Sequence, residues 1–381
     1  MSKHPLPPDQ DPDFVPTHCP NRHCRFHLPS DEPWPKRKSG FYERRSDGAK
    51  FQLYLCLHCR RRFSTRAFCA DYWLRYRQLL PQIASLASNG TGLRQAGRHL
   101  QVSHTTIGRH LARLGRHCLV FQRQLTQSLT IDEPVAFDGF ETFEFSQFHP
   151  FHLNVAAGKD SWFLYEVTDA PLRRKGRMTA AQKARRKVLE NELGRPDPAA
   201  IEIGVERLIG ALLEKAPTDG TLELESDEHP AYRKVVTRLR SRTELRVSIT
   251  HRTTNSRRAR TADNPLFAVN LTDLLLRHSQ ANHRRETIAF SKRRQRAMDR
   301  AHIFQVWRNA VKRRRENGTD ETAAMRIGLA THPMGWNDVL GRRCFPHHQP
   351  LEPWRMEYYR GEIKTAALKD RQSRHELKRA F

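Results

Sequence analysis

The stretch from 131 to 168 constrains this chain most. Three apolar and aromatic runs, "PVAFDGFETFEF", "FHLNVAAG" and "SWFLYEVT", follow one another with turns between them. Short blocks rich in Val, Phe, Tyr and Trp, bounded by turn residues, read as strands. Asp138 stands in the middle of the first. A buried, unpaired carboxylate is too costly to serve as filler. Asp138 therefore needs a salt-bridge partner, a hydrogen-bond network or a metal ion.

The downstream pattern alternates helix and strand. Residues 172–196 are strongly basic and helical in composition. Residues 199–215 read as an amphipathic helix, with Ile201, Val205, Leu208, Ile209 and Leu212 on one face. "TLELESDEH" is a strand ending in acids, "AYRKVVTRLRSR" a short helix and "ELRVSITHR" another strand. From about residue 265 the pattern is helical and very basic. The fold class expected is α/β. Asp227 stands where its strand runs out beside a helix start. Two separated strands each delivering one Asp, with a third acid from a later helix, is how an RNase H-like sheet assembles a two-metal site. Such a site suits Mg²⁺, a hard ion content with carboxylates, phosphate and water. On spacing alone a plainer reading stands beside it: Asp138 as a satisfied structural acid and Asp227 as a helix N-cap.

Upstream, Cys19 and Cys24 form C-x4-C, and Cys56 and Cys59 form C-x2-C. Two close pairs separated by a loop are what tetrahedral zinc requires. His23, His27 and His58 could each replace a cysteine. The chain holds seven cysteines, an odd number, and its N-terminus has no apolar signal region. Disulfides are not expected. Cys69, Cys118 and Cys344 read as small buried hydrophobes.

Residues 91–115, "TGLRQAGRHLQVSHTTIGRHLARLG", have the layout of a helix-turn-helix. Leu93, Ala96 and Leu100 give a short apolar face, and "QVS" is the turn. Ser103 is placed to cap a second helix. That helix buries Ile107, Leu111 and Leu114 and exposes His104, Thr105, Arg109, His110 and Arg113, the set that would read base edges in a major groove. An ordinary helical hairpin has the same pattern.

Charge points the same way. With 67 Lys and Arg against 41 Asp and Glu, the net charge is +26. A field of that sign favours a polyanion. No run of 18 apolar residues occurs and no basic segment carries a membrane-binding aromatic face, so a membrane is not expected. The expected compartment is the cytoplasm. Between 284 and 315 the chain carries twelve Lys or Arg with Phe290, Phe304 and Trp307 interleaved. A helix there with one aromatic and one basic face would dock on the sheet and grip phosphates.

The chain resembles bacterial DDE transposases of the insertion-element-one type and their larger single-chain relatives. The resemblance covers most of residues 19–315. It rests on "YLCLHCRRRFSTRAF", the helix-turn-helix, "VAFDGFETF", "ESDEHPAY", and "NHRRETIAFSKR" followed by "FQVWRNAVKRRR". It implies an enzyme that binds the terminal inverted repeats of a mobile element in double-stranded DNA. Water cuts the 3′ strand, and the freed 3′-OH attacks target DNA with no covalent enzyme intermediate. It implies Mg²⁺ or Mn²⁺ at the acids, Zn²⁺ at the paired cysteines, and a homo-oligomer that holds two ends together. Asp138 would be the first metal ligand and Asp227 the second. The family's third acid is a glutamate upstream of "RRETIAFSK". Counting back in this sequence lands near Asn270, so Asp273, one helical turn on, is the first choice and Glu286 the second. Without a third acid the chain would be a catalytically inactive, transposase-derived DNA-binding repressor. A more distant reading is a zinc-ribbon RNA-binding protein.

The organisation expected is a tail over 1–17, a zinc knuckle over 18–70 and a helix-turn-helix domain over 71–120. An RNase H-like catalytic domain follows over 128–315, then a docking segment and charged tail over 316–381.

Overall fold

The computed structural model describes residues 6–45, 47–242, 246–284, 287–318 and 321–368. The protein is mixed α/β. Near the N-terminus, β1 (Lys36–Glu43), β2 (Lys50–Cys56) and β3 (Arg62–Ser64) form an antiparallel sheet in that order. Three helices follow: α1 (Leu80–Ser88), α2 (Leu93–His99) and α3 (His104–Leu125).

The three strand-like runs become β4 (Val135–Phe143), β5 (Pro150–Gly158) and β6 (Leu164–Pro171), paired antiparallel in sequence. β7 (Thr221–Ser226) then lies parallel to β4, and β8 (Ser248–Thr253) parallel to β7. The sheet order is β6-β5-β4-β7-β8. The connecting helices are α4 (Ala180–Leu193), α5 (Ala200–Leu213), α6 (Pro230–Arg240), α7 (Phe267–Ser279) and α8 (Arg294–Val306).

Strand alternation divides the core. Val135, Phe137, Leu222 and Leu224 face α5 and α6, where Val205, Leu208, Ile209, Leu212 and Tyr232 meet them. Ile201 sits at the margin of this cluster, the other four of its stripe inside it. Ala136, Phe140, Leu153 and Val155 face the other way, toward Leu119, Val269, Leu276, Met298 and Phe304 of α3, α7 and α8. Burying both faces of a sheet under helices is the usual way such a layer is closed.

One expectation about the basic regions changes. α8 is not a surface helix with a basic face. Met298, Ala301 and Phe304 pack on the sheet, while Ile303 and Val306 pack against Leu111, Leu114 and Cys118 of α3. With both sides covered, Arg300 and Arg308 are buried too. The crossing is close because Gly115 has no side chain: a Cβ there would stand 2.6 Å from the Asp299 Cα. α4, by contrast, buries none of its residues and presents its Lys and Arg to solvent.

The expected docking segment is built into the main core. It holds α9 (Ala323–Arg326), α10 (Trp336–Val339) and α11 (Pro353–Arg360). Tyr358 and Tyr359 join the cluster on the α7–α8 face. Arg355 forms a buried ion pair with Glu166, and the Tyr358 hydroxyl donates to Asp169. No helix among the described residues is long and apolar enough to cross a membrane.

Candidate metal centres

The paired cysteines meet. Cys19 Sγ lies 3.7 Å from Cys59 Sγ, and Cys24 Sγ lies 3.8 Å from Cys56 Sγ. All four sulfurs fall within 4.8 Å of one another. Sulfurs about 2.3 Å from a central zinc in a tetrahedron stand about 3.8 Å apart, so this quartet has the dimensions of a zinc site. The four cysteines could bind zinc without a histidine. His27 Nδ1 is engaged with the Cys19 carbonyl oxygen, and His23 is exposed beside Arg22. His58 Nδ1 stands 3.6 Å from Cys24 Sγ, outside the quartet. The thiolate a metal needs is favoured at Cys56. Burial opposes it, but backbone N–H groups of Cys59 and His58 and the Trp34 indole pull its thiol down to about 7. Trp34 Nε1 donates to that sulfur at 3.3 Å. Cys69 and Cys118 are buried, as expected of inert thiols, and Cys344 is partly buried against the main core.

The acids converge by strand register. Ala136 of β4 pairs with Glu225 of β7 in a parallel ladder. Two residues further along each chain come Asp138 and Asp227. Alternation puts Asp138 on the face of Ala136. Asp227 follows the end of β7, where its Oδ1 accepts from His229 N at 2.9 Å at the start of α6, and its charge reaches Asp138. α7 packs over this same face. Its Val269 and Leu276 are buried there, and Asp273 falls between them on the same helical stripe. Asp273, the first choice for the third acid, therefore lies on the helix that covers Asp138, and the Asp138 charge acts on it. Glu286, the second choice, lies outside the described residues.

The environment is that of carboxylates lacking a counter-charge. Burial first, then the Asp227 carboxylate, pushes Asp138 up to about 6, against the Gly139 N–H, the Tyr232 hydroxyl and Arg260. Burial and then Asp138 push Asp273 up to about 8, against Arg277 and Arg260. Asp273 keeps some exposed surface, but its Oδ1 is sealed from solvent and has no hydrogen-bond partner. Among the described residues none of the three aspartates forms an ion pair within 4.0 Å. Neighbouring Glu225 is already held by Lys159 Nζ at 2.9 Å.

Spread distinguishes this group from the cysteines. The four cysteines are the one set of three or more His, Cys, Asp or Glu, among the described residues, whose ligand atoms all lie within 4.8 Å of one another. The three aspartates surround a wider space. Asp138 is raised by the Asp227 charge and itself raises Asp273.

Sequence reasoning missed the groups that hold Asp138. Gly139 N donates to Asp138 Oδ1 at 2.7 Å, and the Tyr232 hydroxyl donates to the same oxygen at 3.4 Å. After burial, all three aspartates act together to raise the Tyr232 phenol. Gly139 must lack a side chain, since a Cβ would meet His152 Nδ1 at 2.7 Å and Tyr232 Oη at 3.0 Å. The signal for Tyr232 was its place on the first turn of the helix after Asp227.

The two helices at 93–125 turn tightly, with Gln101 in the left-handed region at φ 53°. Gly97 lets them close up: a Cβ there would stand 2.8 Å from the Val102 carbonyl oxygen. Ser103 caps α3 by accepting from Thr105 N. Ile107, Leu111 and Leu114 are buried, and His104, Thr105 and Arg109 are exposed, as expected. Arg113 and His110 are not exposed. Arg113 Nη2 donates to the Tyr72 carbonyl oxygen at 2.6 Å, and His110 Nδ1 faces the Thr106 carbonyl oxygen. The segment before α1 covers that part of α3, so the presented surface is confined to its first turns. Leu93, expected inside, is exposed at the start of α2. α3 also runs 22 residues, well beyond the end expected near Gly115, because Leu119 and Val120 belong to the main core.

No protein-family model matches the chain, and no curated protein matches it.

Proposed function

We propose that this protein is a DDE-type transposase that cleaves and joins DNA at the ends of a bacterial insertion sequence. One observation carries the reading. Adjacent parallel strands bring Asp138 and Asp227 close enough for one charge to reach the other, and the helix over Asp138 adds Asp273. The sheet supports it: three antiparallel strands with two parallel strands added beside the first is the order of RNase H-like domains. Asp138, Asp227 and Asp273 would hold Mg²⁺ or Mn²⁺, which, when bound in a pair, activates an attacking oxygen and stabilises a leaving one. Asp138, which feels the Asp227 charge and itself acts on Asp273, would be one of the residues that hold the cations. Gly139 and Tyr232 fix its carboxylate by hydrogen bonds to Oδ1, leaving Oδ2 for a cation. The sealed Oδ1 of Asp273 is the acceptor that an ion would satisfy.

Binding follows from the other modules. α2 and α3 act as a helix-turn-helix that presents His104, Thr105 and Arg109 to the major groove of the element's ends. The cysteine module, which would hold zinc, adds to the positive field that draws DNA toward this surface. A homo-oligomer pairs the two ends, by analogy with other enzymes of this chemistry.

The spread of the aspartates and the aspartate in place of a glutamate favour a second reading, a DNA-binding repressor that no longer cuts. One assay separates the two. A supercoiled plasmid carrying the DNA that flanks this reading frame is incubated with protein and Mg²⁺. The transposase reading expects nicks with 3′-OH ends, none in EDTA, and a loss of about 10³-fold or more in Asp227→Asn. Equal products from both proteins would overturn it. A specific gel shift without nicking, in Mg²⁺ and in Mn²⁺, would establish the repressor.

A further inference from the structure

A cleft of about 520 Å³ opens between the zinc module and the segment that leads into α1. Arg22, Arg61, Arg62 and Arg343 line it together with Tyr72 and Trp73, and among the described residues no carboxylate contributes to its wall. Arg22, Arg61 and Arg62 are exposed. Trp73 keeps 57% of its surface open to solvent and sits in the left-handed region at φ 63°. A bulky residue adopts that conformation only when its surroundings over-determine it. Here the indole is more than half exposed, with the Tyr72 ring edge-on to it at 5.7 Å. The base of the cleft is fixed: Arg343 N donates to the Phe68 carbonyl oxygen at 2.7 Å and Arg343 Nη1 to that of Ala67 at 3.2 Å.

We propose that this cleft holds an unpaired stretch of nucleic acid strand, with one base stacked on Trp73 and its phosphates on Arg22, Arg61 and Arg62. Three observations select that ligand. The wall is cationic, with no acid among its described residues, which suits phosphates. An open indole beside arginines is a stacking platform that accepts any base. The volume is that of a small-ligand pocket, room for a nucleotide or two and too little for a duplex. The inference rests on the DNA-cutting reading in one respect, that cleavage supplies a free strand end. It is separate from the α2–α3 surface, which faces paired DNA.

The test uses the full, zinc-loaded chain and fluorescence anisotropy with a labelled short oligothymidylate and a labelled duplex. Trp73→Ala weakens oligothymidylate binding by about tenfold or more and leaves duplex binding unchanged. Trp73→Phe, which keeps a stacking face, stays within about threefold of the parent. Arg61→Ala with Arg62→Ala lowers the salt dependence of oligothymidylate binding by about 0.7 per residue. Zinc content and melting temperature are read for each variant, so that misfolding is recognised. Parent-like affinity of Trp73→Ala for the oligothymidylate would overturn the proposal, as would equal losses on both probes. Asp227→Asn must leave oligothymidylate binding intact. Failure of the nicking assay therefore does not imitate failure here.

Discussion

Removing zinc from the N-terminal module should unfold it while the central sheet persists. The perturbation is Cys56→Ser, or a chelator acting on the parent protein. The module's own core consists of Cys19, Cys24, Phe26 and Cys56, with Trp34, Cys59 and Phe63 against it. Four of these seven residues are the proposed zinc ligands. The three aromatics, with Phe51 and Tyr54 buried in β2 beside them, contribute about 7–15 kcal/mol in all, at roughly 1.5–3 kcal/mol each. Zinc binding to such a quartet contributes about 10–16 kcal/mol near neutral pH. The metal is therefore the largest single stabilising term, and without it a sheet of three short strands has too little apolar contact to persist. Trp34 reports the event directly, since its indole donates to Cys56 Sγ and its ring stacks on Phe63 at 5.8 Å. The assay is elemental analysis for zinc, then limited proteolysis and tryptophan fluorescence during chelator titration. One zinc per chain, early cleavage within residues 36–64 and a Trp34-dependent spectral change are expected. A metal-free protein that keeps its protease resistance and its Trp34 signal would refute the reasoning.

Two further outcomes follow from buried charge and from buried neutral histidines. His117, His283 and His302 are held neutral by burial, which lowers them from 6.5 to about 4, 3 and 4. The unfolded chain takes up protons below about pH 6.5 while the folded chain resists, so stability is lost as pH falls from 6.5 toward 4, by about 1.4 kcal/mol per pH unit for each histidine. Urea midpoints at pH 7 and pH 5 measure this; an unchanged midpoint, or a slope that His302→Leu fails to reduce, contradicts it. Arg355→Met strands Glu166 inside the protein and should cost about 3–5 kcal/mol, with Glu166→Gln restoring much of the loss in the double variant. Urea denaturation reads both, and a loss under about 1 kcal/mol in the single variant would show that the pair is not a lock on the C-terminal segment.

The parts of the fold that were legible are those set by local pattern. Val135, Phe137 and Asp138 alternate along one strand, and period-two alternation survives any packing. The stripe of Val205, Leu208, Ile209 and Leu212 survives for the same reason, because an amphipathic helix has only one face to bury. The cysteine quartet was legible from spacing alone, since tetrahedral zinc asks little of the rest of the chain. What failed was everything decided by a second neighbour. Periodicity shows that α3 has an apolar face, not that the segment around Tyr72 covers Arg113 on another. The arginines of α8 read as a surface because Arg and Lys rarely enter a core. Only the position of α3 across from the sheet makes Arg300 interior, while Arg296 stays exposed.

Asp273 shows why the candidate site was only partly readable. Strand register sets Asp138 beside the end of β7, where Asp227 follows, to within one residue, because a slip of one would send the Asp138 side chain to the opposite face. No such register ties a helix to a sheet by sequence alone. Counting back along the chain locates the third ligand only to within a turn, and Asn270 and Asp273 differ by one turn. Burial then decides: Val269, Thr272 and Leu276 are the residues of α7 that meet the core, and Asp273 shares their stripe. Its carboxylate answers to Asp138 across the gap, the strongest charge effect on it after burial. The helix phase that a motif leaves open is thus supplied by the hydrophobic residues on either side of it. Asp273 holds its place on the helix because the helix must bury Val269 and Leu276, and the aspartate is carried along between them.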